Sequence, residues 1–296
     1  DLVGASFGRG FFVLDDISPL RMLDDSRLSD EAYILFPVKE TLLYVPSRVF
    51  GRTKGSQGDA FFSANNPPFG AIFTYYLRDT LQTNKARRTQ QEAESRKAGG
   101  DNPSPGFGAL KQEEREDSPI VVLTITDERG ELVRKILGPT TAGFHRINWD
   151  LRHSSPTGGG NGPLAVPGTY RVQASWRVRD KSVQVGDSQR FKVVSMGTPA
   201  VRDQNPKEVR DFQHQAGELR RVVVGASRRL TTALDELAQM KEAVQQSQRG
   251  TAKMFAVARR LELSLLEVRD QLSGDATRSR RNQTRPPSIE ERASVA

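Results

Sequence analysis

The chain has 296 residues, no cysteine, and 44 Lys and Arg against 36 Asp and Glu, for a formal charge of +8. Without a thiol, disulfides, thiolate nucleophiles and cysteine-held zinc are excluded, and no apolar run approaches the ~18 residues of a membrane span. Residues 201–296 carry 18 Lys and Arg against 13 Asp and Glu, interleaved along the chain, which reads as a solvated helix surface and not as a nucleic-acid face.

Leu2–Ser6 and Phe11–Leu14 read as two short strands about a Gly8-Arg9-Gly10 turn. No helix start follows these glycines, so they lack the backbone amides of a phosphate loop. Asp15-Asp16 ends the second strand and caps a turn toward Pro19. As neighbours at a strand end they point apart, whereas a glycosidase needs two carboxylates ~5–10 Å apart across a cleft. Strands are expected at Tyr33–Phe36 and Thr41–Val45, then an exposed loop over Arg48–Ala64 and a turn cluster at Asn65-Asn66-Pro67-Pro68. In the strand Ala71–Leu77, Phe73 and Tyr75 share one face and Ile72, Thr74 and Tyr76 the other. Such a row serves either as core packing or as a sugar-stacking platform.

Residues 79–118 are charged, Gln/Glu-rich and then Gly/Pro-rich, with no apolar face. They are predicted to form a flexible insertion, helical at most in part. From Ile120, two alternating runs meet at Asp127-Glu128-Arg129-Gly130, the signature of a hairpin. A third strand, Phe144–Leu151, carries Trp149. A fourth follows Pro167-Gly168-Thr169-Tyr170, and Lys181–Arg190 reads as a last hairpin leading into Phe191–Val194. The glycine run Gly158–Pro163 lies between strands and reads as a loop. Ile120–Val194 is thus the expected centre of a β-sandwich, with Trp149 in its core.

Asn205-Pro206-Lys207-Glu208 gives a helix start, with a capping Asn, an early proline and a Glu three residues after the cap. Apolar or small residues then recur at Val209, Phe212, Ala216, Leu219, Val223, Ala226, Leu230, Ala233, Leu237, Met240 and Val244, alternating spacings of three and four. A second helix after Gln248-Arg249-Gly250 continues the rhythm through Met254, Ala258, Leu261, Leu265, Val268 and Leu272. Two such seams predict an antiparallel coiled-coil hairpin. The first helix outreaches the second, so Phe212 and Leu219 pack either on the sandwich or against another protein. His145, His153 and His214 are scattered without metal-ligand spacing, and no nucleophile elbow or triad order appears. No catalytic, cofactor-binding or metal residue is assigned, and no cofactor is expected.

The run Gly8, Arg9, Gly10, Phe11, Val13, Leu14, Asp15, Asp16, Ile17 and Pro19 resembles the closing blade of bacterial sortilin-like, Asp-box β-propellers, often labelled glycosyl hydrolases. Phe7 stands where that pattern has His and Phe12 where it has Trp. Asn66–Leu77, Asn148–Arg152, Pro167–Tyr170 and Pro286–Ile289 with Arg292 are similar to the segments that follow the propeller, including an immunoglobulin-like module. The Asp-box, Ser-x-Asp-x-Gly-x-x-Trp, is not present. The fold expected is mainly β with a C-terminal α part: closing propeller strands over 1–30, an immunoglobulin-like sandwich over 31–198, a helical hairpin over 199–275, and a polar, disordered tail over 276–296. The resemblance implies a propeller body preceding Asp1 as partner, further protein or glycan partners, and a place outside the cytoplasm. It points to a non-catalytic accessory and interaction region. The alternative is the C-terminal part of an exported glycosidase-like hydrolase whose catalytic residues lie before residue 1.

Overall fold

The computed structural model describes residues 1–8, 10–44, 67–102, 104–155, 157–158, 162–178, 181–196 and 205–295. Arg9, the expected loop over Arg48–Ala64, Val45, Asn65-Asn66 and the centre of the glycine run at 159–161 lie outside the described residues. Helix outweighs strand, 41% against 28%, so the fold is mixed α and β where the sequence pattern suggested mainly β. Two compact units emerge, Asp1–Ser154 with Leu164–Asp203, and Ser155–Pro163 with Gln204–Ala296.

In the first unit, β1 (Leu2–Ser6) and β2 (Gly10–Leu14) pair antiparallel as a separate two-stranded sheet. Two short helices follow, α1 (Ser18–Arg21) and α2 (Asp25–Asp30). Next come β3 (Tyr33–Leu35), β4 (Thr41–Leu43) and β5 (Ala71–Leu77), then α3 (Asn84–Lys97) and α4 (Phe107–Glu114). The remaining strands are β6 (Ile120–Thr126), β7 (Leu132–Gly138), β8 (Gly143–Trp149), β9 (Gly168–Val178) and β10 (Lys181–Ser195). One sheet has the order β4-β10-β9-β6-β7 and the other β3-β5-β8. The strand holding Trp149 therefore joins a different sheet from its neighbours in sequence. Lys181–Arg190 is also not a hairpin: it is the first part of the single strand β10, which carries an irregularity between Val185 and Gln189.

The two sheets share one hydrophobic core. Alternation dictates which residues enter it: Val121, Leu123 and Ile125 of β6 are fully buried while Ile120, Val122 and Thr124 are not. From the facing sheet come Ala71, Phe73, Tyr75 and Leu77, with Trp149 at the end of β8. The Trp149 indole N–H donates to Arg152 O at 2.9 Å, and its ring meets Tyr170 and Phe191 edge-on at 5.3 and 6.1 Å. Tyr170 Oη donates to Val166 O, four residues upstream, at 2.6 Å.

The stretch expected to be a flexible insertion folds into α3 and α4. Thr83 caps α3 by accepting from Ala86 N–H. Arg88 then bonds Glu92 within the helix and both oxygens of Glu113 on α4, at 2.8 and 2.7 Å. Bidentate bonding of this kind holds guanidinium and carboxylate in one geometry. Hydrogen bonding to Arg88 lowers the pKa of Glu113. Ionic links thus replace the apolar face that α3 lacks.

The second unit is helical. Asn205 caps α5 (Pro206–Gln246) through Lys207 N–H, and α6 (Ala252–Ser273) follows a short turn, capped by Thr251. The helices run antiparallel, with Lys241 on α5 paired to Glu262 on α6 at 2.9 Å. Val223, Leu230 and Leu237 of α5 are buried. The expected tail also departs from disorder. It forms α7 (Ala276–Arg280), capped by Asp275, and α8 (Ile289–Val295), with Ser288 and Ala293 buried. Glu291 accepts from Ser288 N–H at 2.7 Å, and that backbone hydrogen bond first, then Arg285, lowers its pKa.

Candidate interaction surfaces

The β1–β2 hairpin exposes a cluster of apolar side chains in the first unit. Leu2, Val3, Phe11, Phe12 and Val13 are each more than half exposed. Both faces of a two-stranded ribbon are open unless another layer covers them, and such a ribbon is at best marginally stable in water. The residues that end it are tied down. Asp16, at φ +50, donates its N–H to Asp1 Oδ1 at 2.8 Å and accepts from Ser18 N–H at 3.2 Å. Asp16 thus has a turn-capping role. The Arg146 guanidinium donates to Asp15 O at 3.1 Å, linking the end of the ribbon to β8.

The aromatic row on β5 divides as its alternation requires. Phe73 and Tyr75 are fully buried and are core residues, which removes them as a sugar platform. On the opposite face Tyr76 meets Phe144 at 5.0 Å, and Phe144 stacks on Phe36 at 6.1 Å. Of the histidines, His145 lies against the Tyr75 ring at 5.1 Å, with Nε2 2.6 Å from Thr141 O. It therefore sits at the rim of the core, on the Tyr75 side of β8 and partly exposed. His214 is exposed on α5. Among the described residues no group of three or more His, Asp or Glu is placed to hold a metal ion, and no helix is long and apolar enough to cross a membrane.

Sequence patterning gave no sign of a polar cavity of 390 Å³ between the β6–β7 turn and the start of β9, lined by Asp127, Glu128, Arg129, Tyr170, Arg171 and Arg190. Arg171 and Arg190 are directly opposite on β9 and β10, and neither makes an ion pair among the described residues. Like charges opposite one another destabilise a sheet, so an acceptor group placed between them relieves repulsion. Asp127 has a structural duty here: its Oδ1 accepts from the N–H groups of Arg129 and Glu131, both at 2.9 Å. The signal was hidden because the two arginines are nineteen positions apart and meet only through strand pairing.

Tyr33 and Tyr75 form a second buried pair, stacked at 5.5 Å. Tyr75 Oη donates to Pro139 O at 2.6 Å, but Tyr33 Oη is buried without a partner among the described residues. Burial raises both phenol pKa values above the ordinary range, that of Tyr33 also through Tyr75. An unpaired buried hydroxyl costs about 1–3 kcal/mol, so Tyr33→Phe is expected to raise the melting temperature while Tyr75→Phe lowers it. The pH effect has a definite sign. The folded state keeps protons that the unfolded state releases above about pH 10. Stability from these phenols is intact below that pH and is lost as pH rises, at about 1.4 kcal/mol per pH unit for each group. Denaturant melts at pH 9 to 11.5 should show this slope, reduced in the double Phe variant. An unreduced slope would refute the assignment.

Compared with known protein families, with curated proteins and with solved structures, the chain gives no match in any of the three.

Proposed function

We propose that the chain is a non-catalytic accessory and interaction region of an exported β-propeller protein, supporting the propeller and contacting proteins or glycans. The observation that carries this reading is the β1–β2 ribbon, whose apolar side chains Leu2, Val3, Phe11, Phe12 and Val13 stay exposed on a sheet too small to stand alone. Such a ribbon is what a sheet completed by further strands leaves when it is viewed by itself. The resemblance of Gly8–Pro19 to a closing propeller blade supplies the kind of sheet. In this reading the two sheets of the first unit are an immunoglobulin-like sandwich, supported by the buried Trp149 and by the Tyr170 hydroxyl bonding its own upstream backbone. The paired α5 and α6 are a coiled-coil hairpin. The cavity between Arg171 and Arg190 offers glycan contact with an acidic or hydroxyl-rich sugar, through guanidinium donors.

Hydrogen exchange tests the reading directly. Amides of residues 2–14 are expected to exchange almost unprotected in this chain and to become protected in the parent protein that carries the propeller. Equal protection in the two would refute it. Glycan-array binding that is lost in Arg171→Ala with Arg190→Ala would support the sugar contact. No signal with any sugar, and no protein captured from source cells, would leave a purely structural role.

A further inference from the structure

The paired helices α5 and α6 have one face that no described residue of the second unit covers. Val222 and Met240 on α5, with Met254, Val257, Leu261 and Val268 on α6, are between 45% and 61% exposed. These residues flank the interhelical seam and do not fill it. The buried track of α5 runs through Val223, Leu230 and Leu237, and α8 packs on the side of Ser227, which bonds Glu290. Between Met240, Val244, Met254, Val257 and Leu261 the face dips into an apolar groove.

Charge along the edges of this face identifies what covers it. On helical spacing, Arg229 and Glu236 border it on the outer side of α5, and Arg260 and Glu267 on the outer side of α6. All four are exposed, and none makes an ion pair among the described residues. Measured from Arg249 in the turn, Glu236 and Arg260 are 13 and 11 residues away, and Arg229 and Glu267 are 20 and 18 residues away. Each opposite-charged pair therefore lies at nearly one height, but on opposite outer edges of the same hairpin, where its members cannot meet.

We infer that a second copy of this chain docks here, the two hairpins packing face to face about a twofold axis parallel to their helices. That operation lays α6 of one copy against α5 of the other, antiparallel, and brings the outer edges together. Glu236 then meets the partner's Arg260, and Arg229 the partner's Glu267, with the apolar residues between them. The result is a four-helix bundle, isologous as a twofold interface must be. From Val222 to Met240 the face is ~30 Å long at 1.5 Å per residue, and two helices make it ~20 Å wide, so it buries on the order of 600 Å² per copy. This approaches the roughly 800 Å² per partner of a standard stable interface. The inference rests on the helices alone and stands or falls apart from the propeller reading.

Sedimentation velocity of the whole chain, with charge variants, tests it. The wild-type chain is expected to dimerise. Glu236→Arg sets arginine against arginine at two symmetry-related places and is expected to weaken association about tenfold. Adding Arg260→Glu to that variant restores the pair with reversed sign and is expected to restore the dimer. Met240→Glu, at an exposed position, should abolish association with helix content unchanged by circular dichroism. A double variant no tighter than the single one overturns the arrangement. A chain that stays monomeric up to about 100 µM overturns the inference and leaves the face to a different protein.

Discussion

Trp149→Ala is expected to destabilise the first unit by about 3–5 kcal/mol, the range for removing a large aromatic from a packed core. The side chain is fully buried, and its loss leaves the edges of Tyr170 and Phe191 facing a void. It also removes the shorter of two donors to Arg152 O, the indole N–H at 2.9 Å, leaving Arg134 Nη1 at 3.4 Å. That carbonyl belongs to a tight turn: Leu151, at φ +54, is fully buried, and Asp150 Oδ1 accepts from Arg152 N–H at 3.1 Å. Arg134 holds the same turn from β7, bonding Asp150 Oδ1 at 3.3 Å. For a unit of this size the loss corresponds to a fall of about 10 °C in melting temperature. Trp149→Phe keeps a ring but removes the indole donor, so it should fall between wild type and Ala. A melting temperature unchanged in Trp149→Ala would show that the ring is not in the core.

Gly70→Ala should be nearly as damaging, at about 3 kcal/mol, for a reason unrelated to apolar burial. Gly70 sits at φ +121, and a Cβ there would run into the backbone carbonyl of Trp149. A side chain in this region of backbone space costs about 1–3 kcal/mol, and relieving an overlap with backbone requires β5 to shift from β8. The pairing Ala71 with Trp149, which opens the β5–β8 ladder, is the contact that shift would break. The measurement is a urea melt. A midpoint within experimental error of wild type would show that the strand ends are free to move apart.

The strands were legible in the sequence because alternation is a local property. Val121, Leu123 and Ile125 announce a buried face whatever lies opposite. Which sheet a strand joins is not local: β8 follows β7 directly yet pairs with β5, some seventy residues earlier. The helices of the former insertion escaped because their stability comes from Arg88 bridging to Glu113, not from a periodic apolar stripe. On α5 the heptad period correctly gave Val223, Leu230 and Leu237 as inward. It could not say which flanking track turns toward α6. Ala226 and Met240, read as part of the seam, are exposed, while Ser227, Leu234 and Lys241 are partly covered. The Arg171–Arg190 cavity was invisible for the same reason as the sheet assignment, since pairing across β9 and β10 creates it. The ribbon at Leu2–Leu14 was readable as a hairpin, but its exposed apolar surface emerged only from the fold.

β3 and β4 are separated by a few residues yet border different sheets, β3 beside β5 and β4 parallel to the end of β10. The short crossing between them works as a clasp over both layers. Shortening the chain from its beginning past residue 44 would strip an edge from each sheet at once, baring backbone amides and carbonyls of Val193–Ser195 on one and of Tyr75–Leu77 on the other. Open edges of that kind recruit strands from other molecules. Residues 33–43 therefore guard the first unit against aggregation, as well as contributing Tyr33 and Leu35 to its core.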